Sequence, residues 1–161
     1  MADCTEPCKD REEFLSGSSS LNYLAITVKP DISCINGILR SYSMETNNLA
    51  WRAMIKTIAY LKGSNLKRKY KYKEFGRDFH IDCYVDASHK SPHEKNSGKN
   101  LHKSRDAYFV FLNGCLIAWN SKRILLSCQS TDEAEVIGAN NGWKAALWVR
   151  KYLKELGFGV D

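Results

Sequence analysis

The sequence lacks three features that would assign it to common protein classes. No apolar run approaches the ~20 residues needed to cross a bilayer, and the opening Met-Ala-Asp-Cys-Thr-Glu is too polar and acidic for a signal peptide. No second pair of Cys or His follows Cys4 and Cys8 at the spacing of a zinc site. We therefore expect a protein with no membrane partner, located inside the cell in the cytoplasm or nucleus, whose cysteines are free thiols.

The charge balance indicates an anionic partner. The chain has 161 residues, 43% of them hydrophobic, which suffices for one core and a small additional module. Its formal net charge is +6, and nucleic acid is the commonest partner of a basic protein. The basic residues concentrate between 62 and 77, where three aromatic residues are interleaved and either a nucleic-acid contact or a solvated linker fits the pattern. The nucleic-acid hypothesis rests on Lys67, Arg68, Lys69, Lys71 and Lys73.

The first part of the chain predicts a small helical segment. Residues 1–16 are polar and mixed in charge, so we expect them to be disordered. Pro30 and Asp31 are typical of a helix start, and the next helix begins with Asn47 or Asn48 as its cap and ends at Gly63. Residues 17–65 therefore form a helical segment ahead of a second domain.

The middle of the chain predicts antiparallel strands. From Phe79 to Asp86 apolar residues alternate with polar ones, and Asp86 belongs to the polar set at the end of the strand. Asn113-Gly114 separates two apolar runs and is the signature of a tight hairpin turn. Both runs are almost free of polar residues, so we expect both faces of this sheet to be covered.

A long helix follows the hairpin and ends before Gly157. Asp132 and Glu135 have the spacing of a capping box. The predicted buried stripe consists of Val136, Ala139, Trp143, Ala146, Leu153 and Leu156. Glu135 precedes this stripe and is predicted at its head, where a carboxylate needs a partner. Glu135 therefore either completes the cap or belongs to a functional site.

The order of these elements resembles the ribonuclease H domain of copia-type retrotransposon Pol polyproteins. Three motifs of residues 81–157 recur in that family in the same order: Tyr84-Val85-Asp86-Ala87, Ile117-Ala118-Trp119-Asn120-Ser121-Lys122, and Ser130-Thr131-Asp132-Glu133-Ala134-Glu135. Residues 23–33 and 51–63 look like the family's segment between reverse transcriptase and this domain. The resemblance covers most of the chain.

The resemblance implies a mixed α/β fold: an incomplete ribonuclease H-like domain over residues 66–161, with a three-stranded antiparallel sheet and a long helix, preceded by the helical segment. It also implies hydrolysis of the RNA strand of RNA/DNA hybrids. Asp86 and Glu135 match the positions of two carboxylates that hold catalytic Mg²⁺ or Mn²⁺. Such hard cations take oxygen ligands.

The sequence departs from the family at its C-terminal end. The family's later strands, with the third and fourth carboxylate ligands, have no counterpart here, which implies impaired catalysis and an open sheet edge. That edge predicts self-association or pairing with the rest of Pol. The alternative function is a non-catalytic retrotransposon remnant that binds nucleic acid or a protein partner. No Asp-Asp pair typical of a polymerase site occurs in the chain, so we expect no polymerase activity.

Overall fold

The protein forms two compact units, residues 1–68 and 69–161. A computed structural model describes residues 10–64, 78–89 and 104–160. It confirms the mixed α/β class, with four helices and a three-stranded antiparallel sheet in the described ranges. None of the helices within these ranges is long and apolar enough to cross a membrane.

The first unit is helical. Helix α1 spans Arg11–Thr27, α2 spans Ser33–Ser41 after a 3-10 turn at Pro30–Ile32, and α3 spans Asn48–Gly63. Helix α1 begins inside the segment expected to be disordered, because the Asp10 side chain accepts a hydrogen bond from the Glu13 amide at 2.9 Å and Phe14 is fully buried. Residues 11–16 are therefore helical.

The core of this unit forms where the three helices meet. Its fully buried large side chains are Phe14, Ile32, Leu39 and Met54. The expected cap of α3 is confirmed at Asn47, whose side chain accepts a hydrogen bond from the Ala50 amide at 2.9 Å. The helical unit thus has its own apolar core.

The second unit is built on the sheet. Strands β2 (Ile81–Ser88), β3 (Arg105–Leu112) and β4 (Cys115–Arg123) pair antiparallel in the order β2-β3-β4. The hairpin is confirmed: Asn113 and Gly114 have φ of 49° and 74°, as a type I′ turn requires. Strand β2 continues two residues beyond the predicted end, so Asp86 lies within the strand, opposite Ala107.

Helix α4 (Thr131–Glu155) packs on one face of the sheet, and the short strand β5 (Gly159–Val160) follows it. Val110, Val149, Leu153 and Val160 form the buried core. Strand β5 pairs in parallel with β1 (Asp78–Phe79), the two-residue strand just before β2.

The opposite face of the sheet is aromatic. Tyr84 and Phe111 contact edge to face, with ring centroids 5.6 Å apart. These rings border a shallow groove of about 600 Å³. Tyr84 remains 63% exposed, so the expectation that both faces are covered is wrong at this position.

The predicted stripe of α4 is mostly wrong. Val136, Trp143 and Leu156 are 68%, 62% and 55% exposed, and only Leu153 of the predicted set is buried. The buried positions are Ala134, Gly138, Gly142, Val149 and Leu153. Small residues face the sheet because the helix approaches it closely, so the bulkier residues point to solvent.

Candidate functional site

The cap of α4 differs from the predicted one. Ser130 is the N-cap, and its Oγ accepts a hydrogen bond from the Glu133 amide at 3.1 Å. Glu133 in turn accepts a hydrogen bond from the Gln129 amide at 2.7 Å. The capping pair is therefore Ser130 and Glu133 rather than Asp132 and Glu135. The expectation that Glu135 lies at the head of the buried stripe is also wrong, since its side chain is exposed.

Glycines bring the start of α4 against β2. A Cβ atom on Gly138 would lie 3.4 Å from both the Val85 Cγ1 and Ala87 Cβ atoms, and one on Gly142 would overlap the Val85 Cγ2 atom. Because both glycines lack a side chain, the helix backbone rests directly on the strand. The first turns of α4 consequently lie beside the carboxyl half of β2, which carries Asp86.

Asp86 and Glu135 approach this region from different sides of the sheet. Val85 and Ala87 face α4, so strand alternation directs Asp86 to the opposite face. Glu135 lies on α4, and both carboxylates are exposed. Because β2 is an edge strand, groups from the two faces are separated only by its outer rim. A ligand bound by both carboxylates would therefore sit around that rim.

The donor chemistry at this rim suits a hard cation. Neither Asp86 nor Glu135 has a hydrogen-bond or ion-pair partner among the described residues. Two exposed carboxylates offer the oxygen ligands that Mg²⁺ prefers, with water completing its coordination. Within residues 10–64, 78–89 and 104–160, no group of three or more His, Cys, Asp or Glu side chains is arranged to hold a metal. The pair thus fits one partly hydrated cation better than a fully enclosed metal.

A buried polar group lies between the sheet and α4, and the sequence interpretation missed it. Asp106 on β3 is 2% exposed, and its Oδ2 atom accepts a hydrogen bond from Asn141 Nδ2 at 2.7 Å. Its Oδ1 atom is buried with no hydrogen-bond partner in the described part of the chain. The alternation of β3 contained the signal, because Asp106 shares the face of Tyr108 and Val110.

Tyr108 lies beside this carboxyl group. Burial raises the pKa of the Tyr108 hydroxyl, and the nearby Asp106 and Cys83 raise the pKa further, whereas a hydrogen bond with Asn120 lowers it. Burial also raises the pKa of the Cys83 thiol. These groups under α4 therefore favour their neutral forms near neutral pH.

The predicted nucleic-acid contacts are not tested by the structure. Lys67, Arg68, Lys69, Lys71 and Lys73 all lie outside the described residues. They remain a hypothesis from composition and spacing.

Comparison with known proteins gives three relatives. The chain is 27% identical over 144 residues to the retrovirus-related Pol polyprotein from transposon TNT 1-94 of Nicotiana tabacum, covering 89% of this chain and 10% of that protein. It is 29% identical over 149 residues to the retrovirus-related Pol polyprotein from transposon RE1 of Arabidopsis thaliana, covering 92% and 10%. It is 22% identical over 142 residues to the secreted RxLR effector protein 161 of Plasmopara viticola, covering 84% and 90%.

No protein-family model matches the chain, and no solved structure does. The chain spans about a tenth of the length of the two Pol polyproteins. The similarity to both of them supports an origin in a retrotransposon Pol polyprotein.

Proposed function

We propose that this chain is the ribonuclease H part of a retrotransposon Pol polyprotein and acts on the RNA strand of RNA/DNA hybrids. The observation that carries the proposal is the contact of Gly138 with Val85 and Ala87, which joins the start of α4 to the half of β2 that bears Asp86. The capping pair Ser130 and Glu133 supports it further, because Glu135 has no part in the cap.

Asp86 and Glu135 are the residues that would hold Mg²⁺ or Mn²⁺ at the rim of β2. When bound between them, such a cation supplies activation of water and stabilisation of the leaving oxygen in phosphodiester hydrolysis. The chain's own contribution is to fix one carboxylate on a strand and the other on a capped helix. Rigid elements hold ligands more accurately than loops do.

Cleavage of a labelled RNA/DNA hybrid tests the proposal with matched controls. We expect Asp86→Asn and Glu135→Gln each to abolish Mg²⁺-dependent cleavage. Asp82→Asn is the control for the strand, because Asp82 lies on the same face but contacts His80. Asp132→Asn is the control for the helix, because Asp132 is an exposed acid in the first turn that does not cap it. Equal losses in the controls, or full cleavage by both site variants, would contradict the proposal.

The second candidate is a non-catalytic protein that binds nucleic acid or a protein partner. The alignment with the effector of Plasmopara viticola supports it, because this chain matches 90% of that protein and no polyprotein context is needed to account for the similarity. Binding of the hybrid without cleavage, weakened steeply by salt, is the expected behaviour. Replacing Lys67, Arg68, Lys69, Lys71 and Lys73 by Gln should then reduce the salt dependence, whereas unchanged binding would argue against this basic segment as the contact.

A further inference from the structure

The outer edge of β2 has a defined set of backbone groups that point away from the sheet. The Asn113 amide donates to the His80 carbonyl at 2.9 Å, and the His80 amide donates to Asn113 Oδ1 at 2.8 Å, so the backbone of His80 faces the hairpin. Backbone groups of successive strand residues point alternately to the two sides. The amides and carbonyls of Ile81, Cys83, Val85 and Ala87 therefore point outward.

Strand β5 already occupies the first part of this outer side. Phe79 precedes His80, so its backbone also points outward, and it pairs in parallel with Val160. The ring of Phe79 contacts that of Phe158 edge to face, with centroids 5.1 Å apart. The outer side of β2 is thus a continuation of an existing parallel pairing.

Helix α4 leaves space above the same edge. Leu153 packs with Val160 in the buried core, and Ala146 and Ala139 precede it at intervals of seven residues, on one side of the helix. Their side chains are small, and Ala139 is exposed. Val85 faces α4 but is still 38% exposed, as expected for a strand without an outer neighbour.

We propose that the outer edge of β2 is a docking site for one extended polypeptide strand that runs parallel to β2. Main-chain hydrogen bonds to Ile81, Cys83 and Val85 supply its affinity, and the side chains at alternate positions supply its specificity. The positions facing α4 take β-branched apolar side chains, as Val160 does. The positions between them face Asp82 and Asp86, so a basic side chain is favoured there.

A second copy of this chain fits the edge less well. A two-fold axis between two β2 strands would pair them antiparallel, whereas β5 sets a parallel direction at this edge. The register that centres the two strands on each other would bring Asp82 opposite the partner's Asp86, and like charges directly opposite are destabilising. The partner we infer is therefore a different strand.

The proposal is independent of nuclease activity, and amide hydrogen exchange of the full chain tests it. In the unextended protein, the amides of Cys83, Val85 and Ala87 should exchange at least about tenfold faster than those of Asp82, Tyr84 and Asp86. Equal protection along β2 would overturn the proposed edge. Protection of Cys83 and Val85 that grows with protein concentration would overturn the proposed occupant in favour of a second copy.

The docking itself is tested by a strand attached in cis. The probe is the full chain extended after Asp161 by Val-Lys-Val-Thr-Val-Lys, whose valines fall on the side of α4 in the register of Phe79 with Val160. We expect the exchange of Cys83 and Val85 to slow at least about tenfold, because tethering gives a high effective concentration. The control extension carries Pro in place of the second and third Val, which removes the donors of the added strand.

The amides of Asp82 and Tyr84 report whether the sheet itself remains folded in each extended protein. Slowing in the Val extension alone supports the proposal. No slowing in a folded Val extension, or equal slowing in the Pro control, overturns it. Cleavage of the hybrid is a separate measurement, so either proposal can fail without the other.

Discussion

Gly142 controls how closely α4 approaches the sheet. A Cβ atom at this position would overlap the Val85 Cγ2 atom and would lie 3.1 Å from the Cys83 Sγ atom. We expect Gly142→Ala to lower the free energy of unfolding by about 1–2 kcal/mol, because overpacking against a stiff β-branched side chain outweighs the gain in helix propensity. Urea denaturation followed by circular dichroism measures the change.

Gly138→Ala is the matched control for that experiment. Its added methyl group would meet Ala87, Asp106 and Val85 at 3.4 Å, an ordinary contact distance. We expect its free energy of unfolding to equal or exceed that of the native protein, since Ala favours the helix by up to ~1 kcal/mol. Equal destabilisation by both substitutions would contradict the close approach at Gly142.

Tyr108 predicts a loss of stability at high pH. Burial raises its pKa above the ordinary value of 10.0, so the folded protein keeps the phenolic proton after the unfolded chain has lost it. The contribution is complete below pH 10.0 and decreases as the pH rises through the raised pKa. We therefore expect the free energy of unfolding to fall with pH in this range.

Tyr108→Phe isolates this effect, because phenylalanine keeps the ring and has no proton to lose. The difference in free energy of unfolding between native protein and variant, measured by urea titration on both sides of pH 10.0, should decrease with pH. Both proteins contain Cys83, so its own titration largely cancels in the difference. A difference that is constant with pH would contradict the effect of burial on Tyr108.

At the scale of the element, the start of α4 depends on one hydroxyl group. Ser130 Oγ accepts the hydrogen bond of the Glu133 amide at 3.1 Å, and we expect Ser130→Ala to cost about 1 kcal/mol of stability. Asp132→Ala should cost less, since Asp132 only adds a favourable charge to the first turn. Thermal unfolding of the two variants distinguishes them, and the reverse order would restore Asp132 as the cap.

The sequence predicted the elements of this fold better than their faces. Turn and cap residues act locally, so Asn113-Gly114 and Asn47 identified the hairpin and the start of α3 correctly. The buried face of α4 depends on how near the sheet lies, which is a tertiary property. A pattern based on apolar residues selected Trp143, whereas the contact is made by Gly138 and Gly142.

The candidate site shows the same division. Motif order identified Asp86 and Glu135 without any geometry, and alternation identified the face of β2 that carries Asp86. The sequence did not predict that glycines join α4 to the carboxyl half of β2. It also missed Asp106, because an acidic residue at the start of an apolar strand looks like part of the preceding loop.

At the scale of the whole molecule, the two units have separate cores. Phe14 is fully buried in the first core, and Phe14→Ala should lower the stability of that unit by about 3–5 kcal/mol. We expect the amide of Val110, in the second core, to keep its exchange rate. Residue-resolved hydrogen exchange measures both, and faster exchange at Val110 would indicate that the units unfold as one.

The division of labour between Glu133 and Glu135 has a consequence for inheritance. Because Glu133 contributes to the helix start and Glu135 does not, a mutation that removes the Glu135 carboxylate carries almost no folding penalty. Copies of this gene that lose selection for nuclease chemistry can therefore drift at Glu135 while still encoding a folded protein. Among descendants, retention of Glu135 would indicate selected chemistry, whereas retention of Glu133 would indicate only a folded helix.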